Sequence, residues 1–189
     1  LGANSKPPVL RAEVRYTVTG SGRLEVRTSV KQSSDFLPKF GYEIVMPENS
    51  ERYSYFGLGP AESYSDKRLA ARMGLFTGDV RDNIEHYVYP QENCSHSGTL
   101  RPSVKSIAGH GLEFESDEGF VFRASHYSTK QLTEAAHDYE LVPSEKTFVS
   151  IDYKQSGIGS NSCGPELPQQ YRLSEKEFDF VFSVIPTRK

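Results

Sequence analysis

The feature that most constrains this chain is a period of two. Leu24, Val26, Thr28 and Val30 stand between Arg23, Glu25, Arg27 and Ser29, so an extended backbone turns one dry and one wet side outward. The pattern recurs along the chain. Val14, Tyr16 and Val18 alternate with Glu13, Arg15 and Thr17. Phe40, Tyr42, Ile44 and Met46 alternate with Gly41, Glu43 and Val45. Leu112 and Phe114 alternate with Glu113 and Glu115, Phe120, Phe122 and Ala124 with Val121 and Arg123, and Phe178, Phe180, Phe182 and Val184 with Asp179, Val181 and Ser183. Shorter or less regular runs at residues 53–56, 73–80, 84–89, 99–107 and 148–153 also read as extended.

Turn residues separate these runs, drawn from 15 glycines and 11 prolines. Gly20, Ser21 and Gly22 close a first hairpin with one wet and one dry face, and Glu118 and Gly119 close a second between residues 112–116 and 120–124. Residues 128–139 are the one helical candidate. Ser128 or Thr129 can cap it, and Leu132, Ala135 and Ala136 fall at helical spacing. The sum is roughly ten to twelve short strands with at most one short helix, which predicts an all-β, antiparallel two-sheet sandwich. Residues 1–8 read as a linker or disordered lead-in, and residues 9–189 as a single β-sandwich domain.

Bulk properties exclude several function classes. A net charge of -3 and a pI near 6.0, without a basic stripe, argue against a nucleic-acid partner. No apolar run reaches membrane-spanning length, and no signal peptide opens the chain. The chain starts at Leu1 without Met and reads as a piece of a longer polypeptide. The 11 Tyr and 11 Phe, with no Trp, supply large rings to fill the space between two sheets. Cys94 and Cys163 are too few for a disulfide framework and read as reduced thiols of a cytoplasmic protein. Both lie in loops, so a single disulfide between them stays open.

Three stretches break the alternation and hold the polar chemistry. Residues 56–68 read F-G-L-G-P-A-E-S-Y-S-D-K-R, residues 87–93 read Y-V-Y-P-Q-E-N, and residues 152–165 read D-Y-K-Q-S-G-I-G-S-N-S-C-G-P. Gly57, Gly59 and Pro60 make the first neither a regular helix nor a regular strand. In an extended path Glu62, Tyr64, Asp66 and Arg68 share one side, with Arg68 as the fork to a carboxylate. A glycosidase needs two carboxyls about 5 to 9.5 Å apart, and Glu92 as acid with Asp66 as nucleophile would be one pairing. Both are better read as members of a structural polar network with Glu62, Tyr64, Arg68, Asn93 and His126, because loop carboxylates out of water need such partners. His86, His96, His110, His126 and His137 show no metal-ligand spacing, so no metal site is expected. Tyr53, Tyr55, Tyr64, Tyr87, Tyr89 and Tyr127 are candidates for a sugar platform, or for core and cross-strand packing.

These blocks, together with A-S-H-Y-S-T-K-Q-L over residues 124–132, resemble the C-terminal domain of large bacterial β-galactosidases of the glycoside hydrolase 2 type, in the family's order. The resemblance implies a two-sheet supersandwich related to aldose mutarotases, in a family whose domain begins some tens of residues before the position of Leu1. It implies catalytic glutamates, and magnesium and sodium sites, in a (β/α)8 barrel outside this chain, and no cofactor within it. The expected role is non-catalytic: completing the active-site wall of a homo-oligomeric enzyme that hydrolyses terminal β-D-galactosides with retention. The sugar-facing loop would be Asn161, Ser162 and Cys163. Relatives carry a Ser-Trp pair where this chain has Ser162 and Cys163, and a thiol cannot stack on a pyranose as an indole does. A stand-alone carbohydrate-binding module and an aldose 1-epimerase-like enzyme, with His126 or His96 as acid and Glu92 as base, are the alternatives.

Overall fold

The computed structural model describes residues 7–187, so the expected lead-in lies almost wholly outside the described residues. Among the described residues, eleven strands form two antiparallel sheets. In chain order they are β1 (Leu10–Val18), β2 (Leu24–Gln32), β3 (Lys39–Met46), β4 (Arg52–Gly59), β5 (Arg72–Asp79), β6 (His96–Thr99), β7 (Ser103–Lys105), β8 (Gly111–Glu115), β9 (Phe120–Ser125), β10 (Thr147–Gln155) and β11 (Glu177–Thr187). The large sheet has seven strands in the order β1-β2-β11-β8-β7-β4-β5; the small one has four, β3-β10-β9-β6.

The core is where the dry faces meet. Val26, Tyr55, Val104, Phe114, Phe180 and Phe182 from the large sheet close on Met46, Phe122, Ala124, Val149 and Ile151 from the small one. Rings span the gap. Tyr153 stacks on Phe178 at 4.5 Å, and Tyr42 meets Phe182 at 5.4 Å. A fully buried ring such as Phe182 stabilises the fold by about 1.5–3 kcal/mol.

Four elements differ from the sequence-based expectation. Residues 112–116 and 120–124 do not form a hairpin. β8 pairs with β7 and β11 in the large sheet, while β9 pairs with β10 and β6 in the small one. The chain changes sheets there, and alternation, being local, cannot report which sheet a strand joins. The run 99–107 divides into β6 and β7 around Pro102, which has no N–H for a ladder. Residues 84–89 carry no strand. The helical candidate shrinks to α1 (Thr129–Glu134), leaving Ala135 and Ala136 outside. Its N-terminus matches expectation: the Ser128 hydroxyl accepts from Gln131 N, and the Gln131 side chain accepts from Ser128 N in return.

The first motif is less irregular than its glycines suggest, since residues 56–59 complete β4 in register with β5. The first hairpin forms, but the dry face of β1 is uncovered: Val14, Tyr16 and Val18 are exposed.

Candidate functional site

The outer face of the small sheet is polar and buried, which is unusual for a sandwich. Arg123 on β9 and Ser150 and Asp152 on β10 are each almost inaccessible; Arg123 Nη2 donates to the Tyr127 carbonyl at 2.5 Å, and the loop of residues 83–95 brings Glu92 beside its Nη1. Glu92 descends from this loop. Its Oε2 accepts from Lys39 Nζ at 2.9 Å and its Oε1 from Ser95 Oγ at 3.0 Å, with Arg123 Nη1 3.8 Å away. Asp152 Oδ2 accepts from Gln155 Nε2 at 2.7 Å and lies 3.7 Å from Lys39 Nζ. Burial works against ionised Glu92, but the Arg123 and Lys39 cations outweigh it and hold its carboxyl below the usual range. Asp152 goes the other way. Burial raises it to about 6, opposed in part by Lys39 and reinforced by Glu92.

A second network ties the first motif to the second. Glu62 Oε1 receives Lys67 Nζ and the Tyr87 hydroxyl, and its Oε2 receives the Cys94 amide at 2.7 Å and the Tyr64 hydroxyl at 3.3 Å. Cys94 sits at φ 51, a left-handed conformation that costs roughly 1 kcal/mol or more for a side-chain-bearing residue and is offset here by that charge-assisted bond. Ser95 N donates to the Tyr64 hydroxyl at 3.3 Å. Burial works against the Glu62 anion, yet the Lys67 and Tyr87 bonds hold its pKa low. Arg68 stays out of this network. It is exposed, and the cation on Glu62 is its neighbour Lys67.

The third motif is fastened to the first by a single carboxylate. Asp66 Oδ1 accepts from Ile158 N at 3.0 Å, and its Oδ2 from Gly159 N at 2.9 Å and Ser160 N at 2.7 Å. Such a nest of amides is built for an anion, and although burial opposes the charge, these bonds hold Asp66 below its ordinary pKa. The approach requires glycine: a Cβ at Gly157 would lie 2.5 Å from the Asp66 carboxyl carbon. Beyond the clamp, Asn161, Ser162 and Cys163 project as an exposed tip, braced by Ser162 Oγ donating to the Ile158 carbonyl at 3.2 Å.

The remaining predicted residues are placed apart from these clusters or beside them. Asn93 shapes the second loop from within, donating to the Gln91 carbonyl at 2.9 Å. His126 lies elsewhere, with Nε2 3.0 Å from Glu51 and Nδ1 3.1 Å from the Lys146 carbonyl. His96 is buried beneath Tyr55, stacked at 4.2 Å, and burial pulls its pKa down to about 4. Of the six candidate platform tyrosines, Tyr89 is the exposed one; Tyr55 and Tyr64 are core. Tyr89 stands at the lip of a cleft of about 540 Å³ lined also by Lys39, Glu92, Leu132, Gln155 and Ile158. Cys94 is buried and Cys163 exposed, and both are free thiols. Among the described residues no group of three or more His, Cys, Asp or Glu side chains is disposed to hold a metal ion.

Lys39, Lys67, Arg123, Asp152 and Gln155 do not stand out as network members when the sequence is read by motif. Arg123 and Asp152 nevertheless leave a trace: each is a charge inside an otherwise apolar strand run, which has to find a partner when buried.

Glu62, Asp66, Glu92 and Asp152, the acids of the three motifs, are all engaged by cations, amides or a side-chain amide. Fold and site together define a β-sandwich that positions loops, with its acids spent on holding them. Comparison with known proteins gives the family. The family described as "Beta galactosidase small chain" matches residues 2–184, and the chain belongs to it. Similar curated proteins are β-galactosidases of Staphylococcus xylosus, 41% identical over 94% of this chain, and of Actinobacillus pleuropneumoniae, 37% identical over 96%. A third, from Kluyveromyces lactis, is 32% identical over 90% of the chain. The chain spans about 18% of the length of these relatives.

Proposed function

We infer that this chain is the non-catalytic sandwich domain of a β-galactosidase, and that it holds residues 161–163 against the galactoside pocket formed by the rest of the enzyme. The observation that carries this reading is the Asp66 clamp. Three amides on one carboxylate fix the root of an exposed polar tip, and fixing a loop to within a fraction of an ångström is what substrate positioning demands. Membership of the β-galactosidase small-chain family supports the substrate class. The catalytic glutamates and the magnesium and sodium sites lie in the barrel outside this chain, and the enzyme is a cytoplasmic homo-oligomer. Two free thiols favour a reducing compartment. No helix of the described residues is long and apolar enough to cross a membrane.

The test has two arms. The purified chain turns over no chromogenic β-galactoside; robust turnover by the chain alone would overturn the reading. In the whole enzyme, Asp66→Asn lowers kcat/KM roughly tenfold by releasing the loop, and Cys163→Trp shifts the preference among aglycones. A parent enzyme indifferent to both changes would remove the loop from the pocket.

A further inference from the structure

The cleft beside α1 has the make-up of a small-molecule site. Its volume of about 540 Å³ falls within the range of roughly 300–1,000 Å³ that such sites occupy. Tyr89 stands at its lip, and Leu132 and Ile158 supply apolar wall. Tyr89 is 66% exposed, so its ring is open to a ligand. Lys39, Glu92 and Gln155 supply the polar part of the lining. Asn161, Ser162 and Cys163 are not among the lining residues, so the cleft lies at the root of the third motif and not at its tip.

The polar end has hydrogen-bonding capacity to spare. Gln155 is only 8% exposed. Its Nε2 donates to Asp152 at 2.7 Å, while its Oε1 has no hydrogen-bond partner among the described residues. Arg123 Nε, Arg123 Nη1 and Ser150 Oγ are likewise unpartnered, and Arg123 and Ser150 stand opposite each other on β9 and β10. Four of the five such atoms among the described residues therefore belong to this one network, and a buried polar atom without a partner is costly. Lys39 Nζ gives one proton to Glu92 at 2.9 Å and has further protons to donate. The charges of the network cancel at neutral pH, Lys39 and Arg123 against Glu92 and Asp152. No net charge is left to recruit an ion. The ligand that fits is neutral, carries hydroxyls that both donate and accept, and has a rigid apolar face for the ring. A pyranose combines these features. We propose that this cleft binds a pyranose sugar, its C–H face on Tyr89 and its hydroxyls on Lys39, Glu92 and Gln155.

Ligand protection of single thiols in the full-length parent tests it, with D-galactose as the probe. Thr133 and Gln91 line the cleft, whereas Lys130 on α1 does not and is 79% exposed. Thr133→Cys, Gln91→Cys and Lys130→Cys are alkylated in a Cys163→Ser background, and the labelled peptide is read by mass spectrometry. The expected result is that galactose at about 100 mM slows labelling at residues 133 and 91 roughly tenfold, the factor for a Kd of about 10 mM, and leaves residue 130 unchanged. Tyr89→Ala, a change at an exposed side chain, removes the protection. Rates at residues 133 and 91 that galactose does not alter would overturn the proposal. Equal protection by galactitol would overturn it too, because the open-chain polyol has the hydroxyls without the rigid face, and so would protection that survives Tyr89→Ala. Two cleft positions are used so that one poorly folding variant does not decide the result. Labelling needs no catalysis, so an inactive parent with a protected cleft would sink the functional reading and leave this one standing, and an active parent with an unprotected cleft would do the reverse.

Discussion

Asp66 shows how much one side chain can organise. Its carboxylate takes three backbone amides of the third motif, and bonds to a charged acceptor are worth about 1.5–3 kcal/mol each where little competes with them. Asp66→Asn substitutes a donor for one acceptor oxygen. Amide exchange at Ile158, Gly159 and Ser160 should then speed up roughly tenfold or more; unchanged exchange would mean the clamp does not hold the loop. Asp152 carries a pH signature of opposite sign to an ordinary acid. Its pKa is about 6 in the fold against 3.8 for the free side chain, so the folded state binds the extra proton between those values. The contribution of this group to stability is therefore greatest below pH 4 and falls as pH rises to 6, by up to about 3 kcal/mol. Depressed Glu92 and Glu62 run the other way, adding stability above their unfolded pKa and losing it as pH falls through the folded one. The stability of Asp152→Asn relative to the parent sequence should climb from pH 4 to 6 and then level off; a flat difference would contradict it.

Among the elements, α1 depends on its cap. Six residues cannot sustain a helix by propensity, and the reciprocal Ser128–Gln131 bonds with buried Leu132 anchor it beside the cleft. Ser128→Ala should cost about 1 kcal/mol in urea unfolding, and a change of a few tenths would show the cap to be idle. The strands were legible where one face meets water, as in β2 and β11. β9 alternates and follows a glycine turn, yet it joins the small sheet instead of pairing with β8, and all six of its residues are buried. Periodicity then says that a strand exists and says nothing of its neighbours.

Across the molecule, the two thiols are reporters of different events. Cys163 is exposed and should react with a mild thiol reagent at once. Cys94 is buried, and burial pushes its thiol up to about 12, so little reactive thiolate forms at neutral pH. Its labelling should appear with denaturant in step with global unfolding. Early labelling of Cys94 below the transition would mean that the Glu62 network opens separately from the sandwich. The asymmetry of seven strands against four places the well-packed loops around the outer face of the small sheet and leaves the opposite flank of the large sheet bare.

Local alternation was enough to establish short antiparallel strands and two sheets, since a period of two is a property of neighbouring residues. The glycine-punctuated motifs were equally readable, and so was the cap of α1. Sheet membership, the burial of Arg123 and Asp152, the choice of Lys67 over Arg68, and the bare face of β1 were settled by packing alone. Each depends on groups far apart in the chain, whose meeting is decided by which surfaces cover one another.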